Sequence, residues 1–346
     1  MAITRRAGLL AAAAAVVLTA SACSGSAAPA ESADSPEGAG GFPVTVEHIY
    51  GETVIKEQPE RVAAVSWVNA DTALALGVVP VAMPEDTWGG NENGSTDWKD
   101  AKLEELGAAI GTENAPVQYS EADGINYEAI AESTPDVILA GYSGLTQEEY
   151  DKLSKIAPVV GPQKENYLAS WQSVTEATGA ALGKTEEAEQ VVADVEAQFA
   201  AVVEENPVLE ESTFIAGNVD AAANTLSIYA GDDTRPRFFK ALGMEQAPVV
   251  DELVEDGQFY GDVSPERSSE LESDVFYSWV AGEEGAEAVR NHDLFKQIPG
   301  VANGGFITTV DDHSTLAISS ASALSLPWAI ENIVPDVVAA AEAAAE

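Results

Sequence analysis

An unbroken helical run from Thr185 to Asn206, TEEAEQVVADVEAQFAAVVEEN, limits what this chain can become. Ala188, Val191, Val192, Val195, Phe199, Val202 and Val203 recur at three- and four-residue spacings, which lays one apolar stripe along a helix. Gly183 stands just ahead of the run and Thr185 is placed to cap its first turn. Glu186 and Glu187 fall where the helix dipole favours negative charge, and Asn206-Pro207 closes it. At 1.5 Å per residue the run is a rod of ~33 Å, about the width of a small domain. Such a rod either caps one domain or joins two. The segments on its two sides share a strand–helix order, so a spacer between two similar lobes is expected.

The N-terminus is read apart from the fold. Arg5-Arg6, the apolar stretch Leu9 to Leu18 and the small residues Thr19 to Ala22 form a secretory signal over residues 1–22. LTASAC resembles a bacterial lipobox, with Ala20 where Leu is usual, and makes Cys23 the expected lipidation site. Cys23 is the single cysteine of the chain, so an intramolecular disulfide and a cysteine metal site are both excluded. Residues 23–41 are rich in Ser, Ala, Gly, Pro and acid and read as a disordered tether. With 16 Lys+Arg against 58 Asp+Glu, a formal charge of −42, nucleic acid and anionic lipid surfaces are poor partners. The acid is spread along the chain, as on a solvated surface.

Val44–Val46 and Thr53–Ile55 read as a short hairpin. Arg61–Trp67 is then a strand, Asn69–Leu76 a helix and Val78–Met83 a strand. The Gly-rich loop from Trp88 to Gly94 lacks the glycine spacing, the Lys and the strand–turn–helix setting of a phosphate loop. A helix at Gly124–Glu132, a strand at Asp136–Ala140, a helix at Thr146–Ile156 with Thr146 as its cap and acids in its first turn, and a strand at Ala157–Val160 complete the first half. After the long run, strands are expected at Thr213–Gly217, Asp274–Val280 and Gly305–Val310. Helices are expected at Arg235–Leu242, at Ser264–Leu271, and from Ser322 through Pro327 into the Ala-rich tail. This order predicts α/β lobes with mainly parallel sheets covered on both faces. Two windows repeat: Asn126-Tyr-Glu128 lies eight residues ahead of Asp136-Val137, and Ser264-Pro-Glu266 eight ahead of Asp274-Val275.

Enzyme signatures are missing. There is no Gly-x-Ser-x-Gly elbow and no His-Glu-x-x-His, which argues against a secreted hydrolase. The three histidines, His48, His292 and His313, lie far apart in sequence, which argues against a zinc or manganese site. No catalytic activity and no intrinsic cofactor or metal is expected.

The stretch from Phe42 to Pro84, with its Pro-x-Arg-Val strand and Leu-Gly-Val-x-Pro-Val, resembles the opening of the siderophore-binding, ABC-transporter substrate-binding proteins, most of all actinobacterial lipoproteins. The resemblance continues from Gly124 to Val160 and returns at Asp233–Gly243 and Leu324–Ile330, which covers nearly all of the mature chain. It implies the class III periplasmic-binding-protein fold, two Rossmann-like α/β lobes bridged by one long helix, with the ligand in the cleft between them. Residues 42–182 would form the first lobe, 183–206 the bridge and 207–346 the second. The implied role is capture of an iron(III)-siderophore complex and its delivery to an ABC permease dimer with a cytoplasmic ATPase. Such a protein is a monomer on the outer face of the cytoplasmic membrane, held there by its lipid. Haem or cobalamin capture by the same fold is the alternative, with Tyr142 or His313 available as a haem ligand.

In open α/β sheets, ligands sit beyond the carboxyl ends of the strands. Trp67, Trp88 and Tyr142 hold such places in the first lobe, and Tyr229, Arg235 and Trp279 in the second. Aromatic faces suit the apolar scaffold of a siderophore, and Tyr, Trp and Arg donors suit its chelate oxygens. Each aromatic also has a plain core reading, and Arg235 or Arg237 could pair with Asp232 or Asp233. The resemblance matches Tyr142 to a ligand-contacting Tyr of hydroxamate binders. It also places an additional Arg near Ser120–Gly124 in many relatives. None stands here, which favours a neutral or cationic hydroxamate over a catecholate. Glu128 and Glu266 read as first-turn dipole partners, or, by the resemblance, as permease-docking residues in each lobe.

Overall fold

The computed structural model describes residues 41–346 apart from Asp256, together with every side chain there except that of Asn166. The expected signal segment 1–22, Cys23 and all of the tether but Gly41 lie outside the described residues. Among the described residues no helix is long and apolar enough to cross a membrane.

Strands β1 (Val44–His48) and β2 (Gly51–Ile55) form the expected antiparallel hairpin. The first lobe then runs β3 (Val62–Ala64), α1 (Asn69–Ala75), β4 (Ala82–Pro84), α2 (Asp97–Glu105), β5 (Val117–Tyr119), α3 (Tyr127–Glu132), β6 (Val137–Leu139), α4 (Gln147–Leu153) and β7 (Val159–Val160). Its five strands are all parallel, in the order β5-β4-β3-β6-β7. Both faces are covered, which is why the central strands VAA and VIL are wholly buried and apolar rather than alternating. Thr146 and Glu149 close a capping box on α4, as the sequence reading of Thr146 as its cap implies.

Helix α5 (Trp171–Leu182) ends on Gly183 in the left-handed region, and α6 (Thr185–Glu205) is the long run. Thr185 does not cap it. Gly183 already closes α5, so Lys184 takes the cap position without a side-chain bond and Thr185 is the first helical residue. The stripe of α6 serves two cores. Ala188 packs with Val46, Val62 and Ala181 of the first lobe, whereas Val195 and Phe199 pack with Phe214, Phe238 and Leu326 of the second.

The second lobe runs β8 (Thr213–Asp220), β9 (Thr225–Tyr229), α7 (Thr234–Ala241), β10 (Glu245–Gln246), α8 (Val249–Leu253), β11 (Tyr260–Asp262), β12 (Val275–Trp279), α9 (Gly282–Asn291), α10 (Pro299–Ala302), β13 (Phe306–Thr309), α11 (Asp312–Ser319), α12 (Ser325–Asn332) and α13 (Val334–Ala345). Three expectations change here. The sheet, β11-β9-β8-β12-β13 with β10 on β8, is mixed, because β9 returns antiparallel beside β8 and β11 antiparallel beside β9. Residues Pro265–Glu270 form a 3-10 turn instead of an α-helix. The C-terminal helix is broken into α12 and α13, since Pro335 cannot donate into a continuing ladder.

The repeated Asp-Val windows have a common job. Asp136, just ahead of β6, accepts the N–H of Glu60 and of Arg61 at 2.9 Å where the chain enters β3. Asp274, just ahead of β12, accepts the N–H of Thr213 at 2.8 Å where the chain enters β8. β6 is the parallel neighbour of β3, and β12 that of β8, so each acid ties the start of one central strand to the next.

The lobes meet over a buried ion cluster. Lys99 of α2 lies between Asp86 and Asp71, 3.5 Å from the latter, with each of these side chains at most 4% exposed. Asp71 Oδ2 also accepts from Trp98 Nε1 and from Ser322 Oγ, both at 2.8 Å, and Ser322 belongs to the second lobe. Burial and the neighbouring Asp86 push the Asp71 carboxyl above its ordinary range. Lys99→Ala would leave two buried acids without their cation. A loss of about 3–5 kcal/mol is expected from the urea midpoint.

Candidate functional site

The carboxyl ends of β3, β5 and β6 open on a cavity of about 280 Å³. Past β3 the chain turns at Ser66, whose φ of +59° is unusual for a residue with a side chain, and this throws Trp67 outward, 43% exposed. Tyr167, in the connection from β7 to α5, also has a positive φ, +60°, and is 40% exposed. The Trp67 and Tyr167 rings lie 5.9 Å apart, and the Tyr142 ring lies 5.5 Å from that of Tyr167. Two strained residues bordering one cavity mark a place the surrounding fold holds against local preference.

Tyr142 itself is buried, 3% exposed. Asn69 clamps its backbone, accepting the Tyr142 N–H at 3.0 Å and donating to its carbonyl at 2.9 Å. The glycine two residues on has a steric reason. A Cβ on Gly144 would sit 2.6 Å from the Tyr167 ring, so any side chain there would push the ring off the wall.

Glu121, two residues past β5, lines the same cavity. Its Oε2 accepts the Ser66 N–H at 3.0 Å. Its Oε1 lies 3.4 Å from the Tyr119 hydroxyl, but that hydroxyl has one hydrogen and points it at the Ala64 carbonyl, 2.5 Å away. Burial pushes the Glu121 carboxyl up to about 7, against the pull of the Ser66 N–H.

In the second lobe, Arg235 lies over the Tyr229 ring at 3.5 Å and forks onto Asp233 through Nε and Nη2, both at 2.7 Å. The ion-pair reading of Arg235 is therefore the one observed. Arg237 reaches Asp232 at 3.9 Å. Trp279, ending β12, meets Trp88 of the first lobe edge to face, 6.2 Å apart, and its buried Nε1 has no partner among the described residues. Tyr142 Oη donates to the Ser319 carbonyl at 3.2 Å, and Thr234 Oγ1 reaches the same oxygen at 2.7 Å. His313 is wedged between Trp98 and Trp328, with Nδ1 2.7 Å from the Gly89 carbonyl.

The expected site residues thus fall into three groups. Trp67 and Tyr142 are joined through Tyr167 in the first lobe, Trp88 and Trp279 meet across the junction, and Tyr229 and Arg235 stack in the second lobe. The cavity is lined by first-lobe residues, while at the junction the lobes touch. The Gly-rich loop does stand between a strand, β4, and a helix, α2, contrary to the sequence reading. Its Asn91 and Asn93 bond Asp100 at 2.9 and 2.7 Å. Glu128 and Glu266 are exposed and line no part of the cavity. Tyr167 and Glu121 escaped the sequence reading, because neither ends an apolar strand run. The aromatic at position 167 in an otherwise polar loop was the available signal.

Residues 62–312 match the periplasmic binding protein family, and the chain belongs to it. A curated Bacillus subtilis (strain 168) relative, named as an ABC transporter substrate-binding lipoprotein, YhfQ, is 28% identical over 181 residues, and the match spans 51% of each chain. The chain thus matches about half the length of that relative. Among solved structures, PiaA of Streptococcus pneumoniae TIGR4 in complex with ferrichrome superposes with a TM-score of 0.79 at 29% identity, over 87% of this chain and 99% of PiaA. A periplasmic solute binding protein of Mycobacterium smegmatis superposes with a TM-score of 0.71 at 25% identity, over 86% of this chain and 98% of the other. The α/β fold of two lobes with one long helix between them is that of these class III proteins.

The Glu121 carboxyl gives a pH test of this geometry. With a folded value near 7 against an ordinary 4.5, the buried carboxylate weakens the fold above pH 7, and the penalty fades as pH falls toward 4.5. Glu121→Gln is expected to stabilise the protein by about 1–2 kcal/mol at pH 8 and by little at pH 5. Thermal melts at the two pH values check it, and an equal gain at both would mean that this carboxyl does not titrate with folding.

Proposed function

We propose that this protein is the extracytoplasmic substrate-binding component of an ABC importer and that it captures a ferric siderophore of the hydroxamate type. One observation carries the reading: the Trp67 and Tyr167 rings border a cavity at strand ends, with buried Tyr142 packed behind Tyr167, in a chain similar along nearly all of its length to a protein crystallised with ferrichrome. A ferric hydroxamate brings its iron already coordinated, so the receptor needs aromatic surface for the scaffold and donors for the chelate oxygens. Trp67, Tyr167 and Tyr142 form the first-lobe side of the site. In this reading Trp88 at the junction and Trp279, Tyr229 and Arg235 of the second lobe complete the site, and the unpartnered Trp279 Nε1 is a donor suited to a chelate oxygen. The protein does no covalent chemistry. It reaches the outer face of the membrane through its signal segment, is held there by lipid on Cys23, and works as a monomer.

Fluorescence of the six tryptophans, titrated with ferrichrome, ferrioxamine B, a ferric catecholate, haemin and cobalamin, tests the ligand class. Saturable quenching by the hydroxamates alone is expected; a response to haemin or cobalamin instead would replace the ligand. Trp67→Ala and Tyr167→Ala are each expected to weaken hydroxamate binding about tenfold with the circular dichroism unchanged. Full affinity in both variants would remove the site from this cavity.

Glu128 and Glu266 are the permease contacts in this reading, one exposed acid at the equivalent turn of each lobe. The Glu128→Lys/Glu266→Lys double variant is expected to bind ferric hydroxamate normally and to abolish uptake of radioactive iron by cells. Normal uptake would end the docking role.

A further inference from the structure

We infer that the first-lobe cavity recognises a positively charged nitrogen on the ligand, an ammonium carried by the ferric hydroxamate, and that Glu121 is the residue that specifies it. This rests on the siderophore reading above.

The hydrogen-bond inventory around Glu121 points to it. Oε2 is satisfied by the Ser66 N–H, but the hydroxyl nearest Oε1 has given its single hydrogen to the Ala64 carbonyl and presents only lone pairs. Glu121 lines the cavity and its Oε1 is short of a donor, which an ammonium N–H would supply. The Ser143 hydroxyl, also in the wall, is committed to the Ala140 carbonyl at 2.7 Å.

The remaining wall agrees in sign. Among the described residues that line the cavity there is no Lys or Arg, while Glu149 adds a second acid. Trp67 and Tyr167 line the same cavity, and aromatic rings attract cations over their faces. A ligand carboxylate or other anion placed here would meet the lone pairs of Glu121 and Tyr119 with no cation to offset them. Burial already holds the Glu121 carboxyl up near 7, and a bound ammonium would hold it ionised.

Ferrioxamine B and its N-acetyl derivative separate this inference from the reading it rests on, because they share one ferric hydroxamate core and differ at the terminal ammonium. Titrated at pH 8, the wild-type protein is expected to bind the ammonium form about tenfold more tightly. In Glu121→Gln the two forms are expected to bind within about twofold of each other, mainly through loss of affinity for the ammonium form. Gln keeps an acceptor for the Ser66 N–H, and its amide can donate to the Tyr119 oxygen, so the variant retains the local fold. Equal affinity for both forms in the wild type overturns the inference and leaves the siderophore reading standing. So does a preference that survives in Glu121→Gln. Failure of both forms to quench the wild-type protein overturns both readings.

Discussion

Two acids sharing one ammonium, sealed from water, hold this molecule together at its junction. Asp71 comes from α1, Asp86 from the connection after β4 and Lys99 from α2, so the cluster sets three separate pieces of the first lobe. Its reach extends further because Asp71 also takes the Ser322 hydroxyl of the second lobe and the indole N–H of Trp98. Trp98 in turn packs on His313 and Trp328, which come from α11 and α12. Charges this deeply buried are satisfied by few geometries, and a shift of either lobe would strip a partner from an ion that water cannot reach. The junction is thus defined by polar matching, and the aromatic packing around it follows.

The first-lobe cavity is built on the opposite principle, that of a fold kept locally uncomfortable. Ser66 and Tyr167 sit in backbone conformations that other residues avoid, Gly144 is stripped of a side chain to admit a ring, and Glu121 is held where its charge is disfavoured. Each feature weakens the isolated fold and each points a group at the same small volume. Concentrated local cost of this kind sets this cavity wall apart from ordinary surface.

Much of the architecture was legible because it rests on periodicity. The α6 stripe, the buried runs around Ala63 and Ile138, and the cap at Thr146 are direct readings of spacing and side-chain chemistry. The Asp136 and Asp274 windows were visible as a repeat, though their reason, a carboxylate taking backbone N–H groups one strand away, exists only in three dimensions. The antiparallel return of β9 was hidden because Asn224 makes its turn at a positive φ without a glycine to announce it. The short 3-10 turn at Pro265 carries the same sequence signs as a helix start. At the cavity, Trp67 was readable from a strand end and Tyr142, read the same way, lies buried behind Tyr167, whereas Tyr167 and Glu121 reach the cavity from connections whose paths no local pattern sets. Arg235 shows the converse limit: an ion pair was one of two readings open to it, and its partner was one of two adjacent acids that sequence alone left open.

The division of the α6 stripe between two cores bears on how the whole molecule comes apart. Loss of the first lobe would bare Ala188 and its neighbours, and loss of the second would bare Val195 and Phe199 on the same continuous rod. Neither half can melt without uncovering apolar surface on a helix the other half still needs, so the lobes share one cooperative transition. That coupling removes the half-unfolded states a protease would otherwise find.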